Sequence, residues 1–171
     1  RAQTFRRQLP LRTARRAMPS RYMRLPYRFG VGVLLIGPGG RICVERTPAD
    51  CGLAASLGSW QMPECVIAAH EPPREAGLRL LREGLGFGSA QVLAEAPGWF
   101  AYELPADMLG VALGGRYCGQ KQKWIAARIE EPGRVPSTVR TWVPAGAVPR
   151  LAPVLKREIY EDVLATFAPL L

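Results

Sequence analysis

The chain has 171 residues, 48% of them hydrophobic, which is enough for one domain with an ordinary core plus a tail. No run of about 18 uninterrupted apolar residues occurs, so no segment reads as a transmembrane helix, and four widely spaced cysteines without a CxxC pair point away from a zinc site or a disulfide framework. The formal charge of +9 is concentrated at one end: residues 1–28 hold nine arginines and no acid, which leaves 14 basic residues against 14 acids in the rest. The high isoelectric point therefore does not argue for a basic groove on the body.

Residues 1–27 lack a sustained apolar period, and Pro10, Pro19 and Pro26 interrupt them. Arginine-rich, acid-free composition is that of an organellar transit segment. The expected setting is mitochondrial, with another organelle such as the chloroplast as the alternative. Like charges at this density need a counter-charge. Arg6, Arg7, Arg12, Arg15 and Arg16 are the expected arm contacts, to RNA phosphate backbone or to an acidic protein surface, within a large multi-subunit assembly. The alternative is that the arm folds back on its own domain.

Val31–Ile36 reads as a strand, Pro38–Gly40 as a turn, and Arg41–Arg46 as the returning strand of a hairpin. A small-residue loop spans 47–58, and Ser59–Pro63 is a short extended segment. A helix follows, with Pro72 and Pro73 in its first turn and Leu78, Leu81 and Leu85 as its buried stripe. Gly77 and Gly84 weaken it by about 1 kcal/mol each. Strand-like material lies within Gln91–Leu104, residues 106–118 form a loop, Lys123–Ile129 and Thr138–Val143 are strands, and Pro153 opens a C-terminal helix bearing Leu155, Ile159, Tyr160, Val163, Leu164 and Phe167.

The segment from Cys65 to Phe87 carries the chemistry. It resembles the Nudix box: Gly, five residues, Glu, seven residues, then Arg-Glu-apolar-any-Glu-Glu-any-Gly-apolar. Glu71, Arg79, Leu81, Glu83, Gly86 and Phe87 fit at the right spacing, whereas Cys65, Leu80 and Gly84 do not. The resemblance implies an α/β fold, a Nudix α/β/α sandwich with a mixed β-sheet, over residues 28–171, with an extended basic N-terminal arm at 1–27. Carboxylates at i, i+3 and i+4 share a helix face and suit a hard divalent cation. Here that face reads Leu80, Glu83 and Gly84, so Glu83 is the one remnant metal carboxylate, and Glu71 and Arg79 are the other remnant box residues. Glu75 is placed to pair with Arg79 at i,i+4. Cys65 stands where a tight turn favours glycine. His70, the sole histidine, reads as a surface loop residue.

Further segments resemble bacterial RNA pyrophosphohydrolases: Tyr27-Arg28-Phe29-Gly-Val-Gly, with Phe29 in place of proline, Trp60-Gln61-Met62-Pro63, the Trp99/Tyr102/Leu104/Pro105 stretch, Gly119-Gln-Lys-Gln-Lys-Trp124, and Lys156-Arg157 followed by Tyr160. The resemblance implies that Arg28, Arg46, Gln61 and Lys156 meet substrate phosphates. It also implies a fourth metal carboxylate near Pro136, where Arg134–Arg140 holds no acid. The resulting expectation is a catalytically inactive Nudix-fold protein acting as a structural or RNA-binding subunit of an organellar assembly such as the mitochondrial ribosome, with no cofactor, and magnesium only if active. The alternatives are an active pyrophosphohydrolase on RNA 5′ ends or nucleotides, a nucleotide-sensing module, or an accessory subunit of a respiratory complex.

Overall fold

An unbroken apolar run suits a strand covered on both faces, and Val31–Ile36 is the inner half of β1 (Tyr27–Ile36), buried from Gly30 onward. The computed structural model describes residues 25–46, 60–131 and 139–171. The arm contacts, the 47–58 loop and the position near Pro136 lie outside the described residues. β1 turns back through Pro38–Gly40, where Gly39 and Gly40 take φ of 68° and 70°, the left-handed region that glycine enters without a Cβ penalty. β2 (Arg41–Arg46) then returns antiparallel, as the hairpin pattern requires.

The other strands are β3 (Trp60–Gln61), β4 (Glu64–Val66), β5 (Gln91–Glu95), β6 (Phe100–Glu103), β7 (Gly119–Arg128) and β8 (Arg140–Pro144). The sheet runs β3-β2-β1-β7-β5, with β4 paired to β1, β6 to β7 and β8 to β2. β1 and β7 are parallel over their full lengths and the other pairings are antiparallel, so the sheet is mixed.

Alternation along β1 divides the core between two faces. Val33 and Leu35 pack with Leu80, Leu81, Leu85, Phe87 and Ile125 beneath α1 (Pro73–Arg79). Leu34 and Ile36 pack with Trp124, Tyr160, Val163 and Phe167 beneath α3 (Arg157–Thr166). Helices thus cover both faces, the expected α/β/α sandwich.

Several boundaries differ from the sequence reading. β7 begins at Gly119 rather than Lys123, so the Gln-Lys-Gln-Lys string lies within a strand. A short helix, α2 (Val148–Leu151), was not expected, and α3 starts at Arg157 after a turn at Val154–Lys156. Leu25 packs on the core and the Pro26 carbonyl accepts from the Cys118 N–H at 3.0 Å, so the body begins a few residues before 28.

Candidate functional site

The box helix departs from a regular α-helix where its chemistry should sit. After Arg79 it widens into a π-turn over Leu80–Gly84, closed by the Leu85 N–H to the Leu80 carbonyl at 2.9 Å. The expected stripe of Leu78, Leu81 and Leu85 is corrected: Leu81 and Leu85 are buried, Leu78 is half-buried, and Leu80 joins the core. Leu80 and Gly84 accommodate one another. A Cβ at position 84 would lie 2.8 Å from Leu80 Cδ1, so the leucine lies over the ground that a side chain at 84 would need. Glu83 is exposed. Leu80, Glu83 and Gly84 therefore do not present one common polar face.

Glu71 and Arg79 are brought together, eight residues apart. Arg79 Nε and Nη2 donate to the two Glu71 oxygens at 2.8 Å each, the Ala68 N–H donates to Oε2 at 2.8 Å, and Arg79 Nη2 also reaches the Val66 carbonyl at 3.1 Å. The hydrogen bonds from Arg79, then that from Ala68, hold the Glu71 carboxyl down to about 2. Arg79 thus pairs with Glu71 and not, as the i,i+4 spacing suggests, with Glu75. The strain expected at Cys65 also falls elsewhere. Cys65 is extended in β4, and His70 takes the positive φ, 63°, on an exposed turn.

A second cluster forms on the α3 face, where β4, β3 and the turn before α3 converge. Lys156, 1% exposed, donates to Glu64 Oε1 at 2.6 Å and to Gln61 Oε1 at 3.0 Å. Gln122 Nε2 donates to the other Glu64 oxygen at 2.5 Å. Arg28 Nη2 and the Tyr102 hydroxyl both donate to Gln120 Oε1 at 3.0 Å. Arg46 stands over the Trp60 ring at 5.2 Å. Of the four phosphate-binding candidates, Gln61 and Lys156 touch, while Arg28 and Arg46 are engaged separately. The sequence reading missed Glu64, although it is an acid beside the box and its partner lies 92 residues away.

Arg140 links the two regions. Its guanidinium donates to the Gly84 carbonyl at 2.7 Å and the Leu85 carbonyl at 3.0 Å, satisfying the end of the box helix, and lies 3.6 Å from Glu45. Burial raises the Glu45 pKa, and Arg140 opposes that rise.

Curated proteins resemble the chain over most of its length. An RNA pyrophosphohydrolase of Gluconacetobacter diazotrophicus is 37% identical across 84% of this chain and 93% of its own. One from Mesorhizobium japonicum is 38% identical across 85% and 92%. The chain belongs to the RNA pyrophosphohydrolase family of Nudix proteins. Among solved structures, the C. elegans Ap4A hydrolase superposes with a TM-score of 0.61 at 13% identity, over 84% of this chain and 98% of that one. The E. coli dihydroneopterin triphosphate pyrophosphohydrolase superposes with 0.59 at 14%, over 80% and 96%. These two show the fold. No family model matches.

Nudix membership implies a divalent cation, and the described box residues do not fit one. Leu80 is in the core, Gly84 has no side chain, both oxygens of Glu71 are taken by Arg79, and Arg140 sits at the helix end. Among the described residues no three His, Cys, Asp or Glu side chains stand together as a metal site. Magnesium requires several oxygen donors at near-octahedral geometry.

Proposed function

We propose that this Nudix protein recognises the phosphorylated 5′ end of RNA or of a nucleotide on the α3 face of its sheet, and that it hydrolyses it slowly at most. Family membership supports the substrate class, since the relatives above are named RNA pyrophosphohydrolases. One observation carries the slow turnover: Leu80 fills the core at the position of a box carboxylate and leans over the site of a second. Multiple-turnover assays on triphosphorylated RNA with magnesium or manganese test this. The wild type is expected to bind that RNA in preference to its 5′-hydroxyl counterpart while releasing little pyrophosphate. The double substitution Leu80→Glu/Gly84→Glu is expected to raise turnover at least tenfold, a gain read alongside thermal melting. Fast wild-type turnover that Glu83→Gln abolishes would overturn the slow-enzyme reading.

The second reading is an efficient pyrophosphohydrolase, favoured by about 37% identity to such enzymes over nearly the whole body. Under that reading Glu83 and the substrate phosphates together supply the oxygen donors. The arginine arm belongs to the same proposal as a tether to RNA backbone or to an acidic partner surface within a larger assembly. Neither fold nor relatives bear on the mitochondrial, ribosomal or respiratory settings.

A further inference from the structure

The buried Lys156 is the innermost cation of the cluster, and a carboxylate of the chain already occupies it. Glu64 reaches it at 2.6 Å from β4, opposite Gly32 of β1, and its second oxygen accepts from Gln122. The Lys156 side chain is 1% exposed and that of Glu64 is 11%, so Glu64 is the more exposed member of the pair. On the neighbouring strand β2, Glu45 pairs with Arg140 and faces Gln61 across the β2–β3 ladder. Of the cations that a phosphate would seek, Lys156 is therefore matched by an internal acid, while Arg28 reaches Gln120 and Arg46 stands over the Trp60 ring.

A buried lysine stays charged only when paired, and removing one partner leaves an uncompensated charge. A phosphate oxygen and a carboxylate oxygen make the same charge-assisted bond to an ammonium. They compete for one place. From this geometry we infer that Glu64 determines what the Lys156 site takes: it acts as a built-in counter-anion that an incoming phosphate must displace. The inference rests on the phosphate-recognition reading above. It assigns to Glu64 a selective role against small free phosphates, which bring no further contacts to offset displacement of the carboxylate. A longer ligand such as an RNA 5′ end brings those contacts through Arg28 and Arg46.

Titration calorimetry with inorganic tripolyphosphate on wild type, Glu64→Gln and Glu64→Ala tests this. Both variants remove the competing charge and are expected to bind at least tenfold more tightly than wild type. Adding Lys156→Gln to Glu64→Gln is expected to abolish the gain. Melting gives a second readout: Glu64→Gln should melt below wild type without ligand and recover on adding tripolyphosphate, because ligand binding to the folded state stabilises it. A merely structural Glu64 would give the fall without the recovery. Equal or weaker binding by both variants, with wild-type RNA binding intact, would overturn the inference alone. Failure of every variant to bind either tripolyphosphate or triphosphorylated RNA would overturn it together with the reading on which it rests.

Discussion

At the scale of single residues, the best-defined charge is that of Glu71, gripped by both nitrogens of one face of Arg79 and by a backbone N–H. Its carboxyl titrates at about 2 when folded against an ordinary 4.5, so the native state favours the ionised form. Such a group adds stability that is complete above the unfolded value and is lost as pH falls through the folded one. Acid unfolding of the wild type should therefore steepen between about pH 4.5 and 2. Glu71→Gln, which has no charge to lose, should flatten that window while lowering stability at neutral pH. Denaturant midpoints collected across pH 2 to 7 check this, and equal slopes for the two proteins would refute it. The two residues were picked out by their box positions, but the sequence reading paired Arg79 with Glu75 at i,i+4, whereas the loop before the helix returns Glu71 to it. The Glu64–Lys156 pair was not legible, because it depends on β4 and the turn before α3 meeting across the sheet face, which no local pattern encodes.

At the scale of elements, the legible parts were those whose periodicity settles their burial. The β1–β2 hairpin announced itself through an apolar run, a Pro-Gly-Gly turn and an alternating return. β7 was read four residues short because Gln120–Lys123 looks polar. The same residues alternate with the pleat, Gln120 and Gln122 buried, Lys121 and Lys123 half-buried. The helix end was misread because a π-turn rotates Leu80 into the core, and one extra residue in a turn leaves no compositional trace. Gly77 reads as a helix weakness in the sequence, whereas a Cβ there would lie 2.5 Å from Ile125 Cδ1, so the glycine sets how closely α1 lies on β7. Gly32 plays the corresponding part on the other face. A Cβ there would lie 2.6 Å from three atoms of the Trp124 ring, which is fully buried and set edge-on to Tyr160 at 5.7 Å. A shift of the ring towards α3 would press on Tyr160, whose hydroxyl accepts from the Met62 N–H. Gly32→Ala should cost about 3 kcal/mol, the upper end for overpacking. The denaturant midpoint should drop with little change in slope, and a midpoint within error of wild type would show that the sheet and α3 can separate freely.

At the scale of the whole molecule, charge is unevenly spread along the chain. Among the described residues four acids form ion pairs, Glu71 with Arg79, Glu64 with Lys156, Glu45 with Arg140 and Glu95 with Arg74. Residues 1–24 contribute eight arginines with no acid among them. Binding to RNA backbone releases counterions, and for single strands the logarithm of affinity falls against the logarithm of salt with a slope of about 0.7 per neutralised phosphate. If the arm is the RNA tether, deleting residues 1–24 should cut the magnitude of that slope by about 6 when all eight arginines engage. The remaining preference for a 5′-triphosphate should persist, because Arg28, Gln61 and Lys156 stay in the body. The deletion spares Leu25 and Pro26, which pack on the core and hold Cys118, so the melting temperature should stay within a few degrees of the full chain. Fluorescence anisotropy on triphosphorylated and 5′-hydroxyl RNA across a salt series measures both quantities at once. An unchanged slope would assign the arm to an acidic protein surface instead of RNA. Loss of the triphosphate preference along with the arm would move the phosphate contacts off the sheet face and onto the arginines.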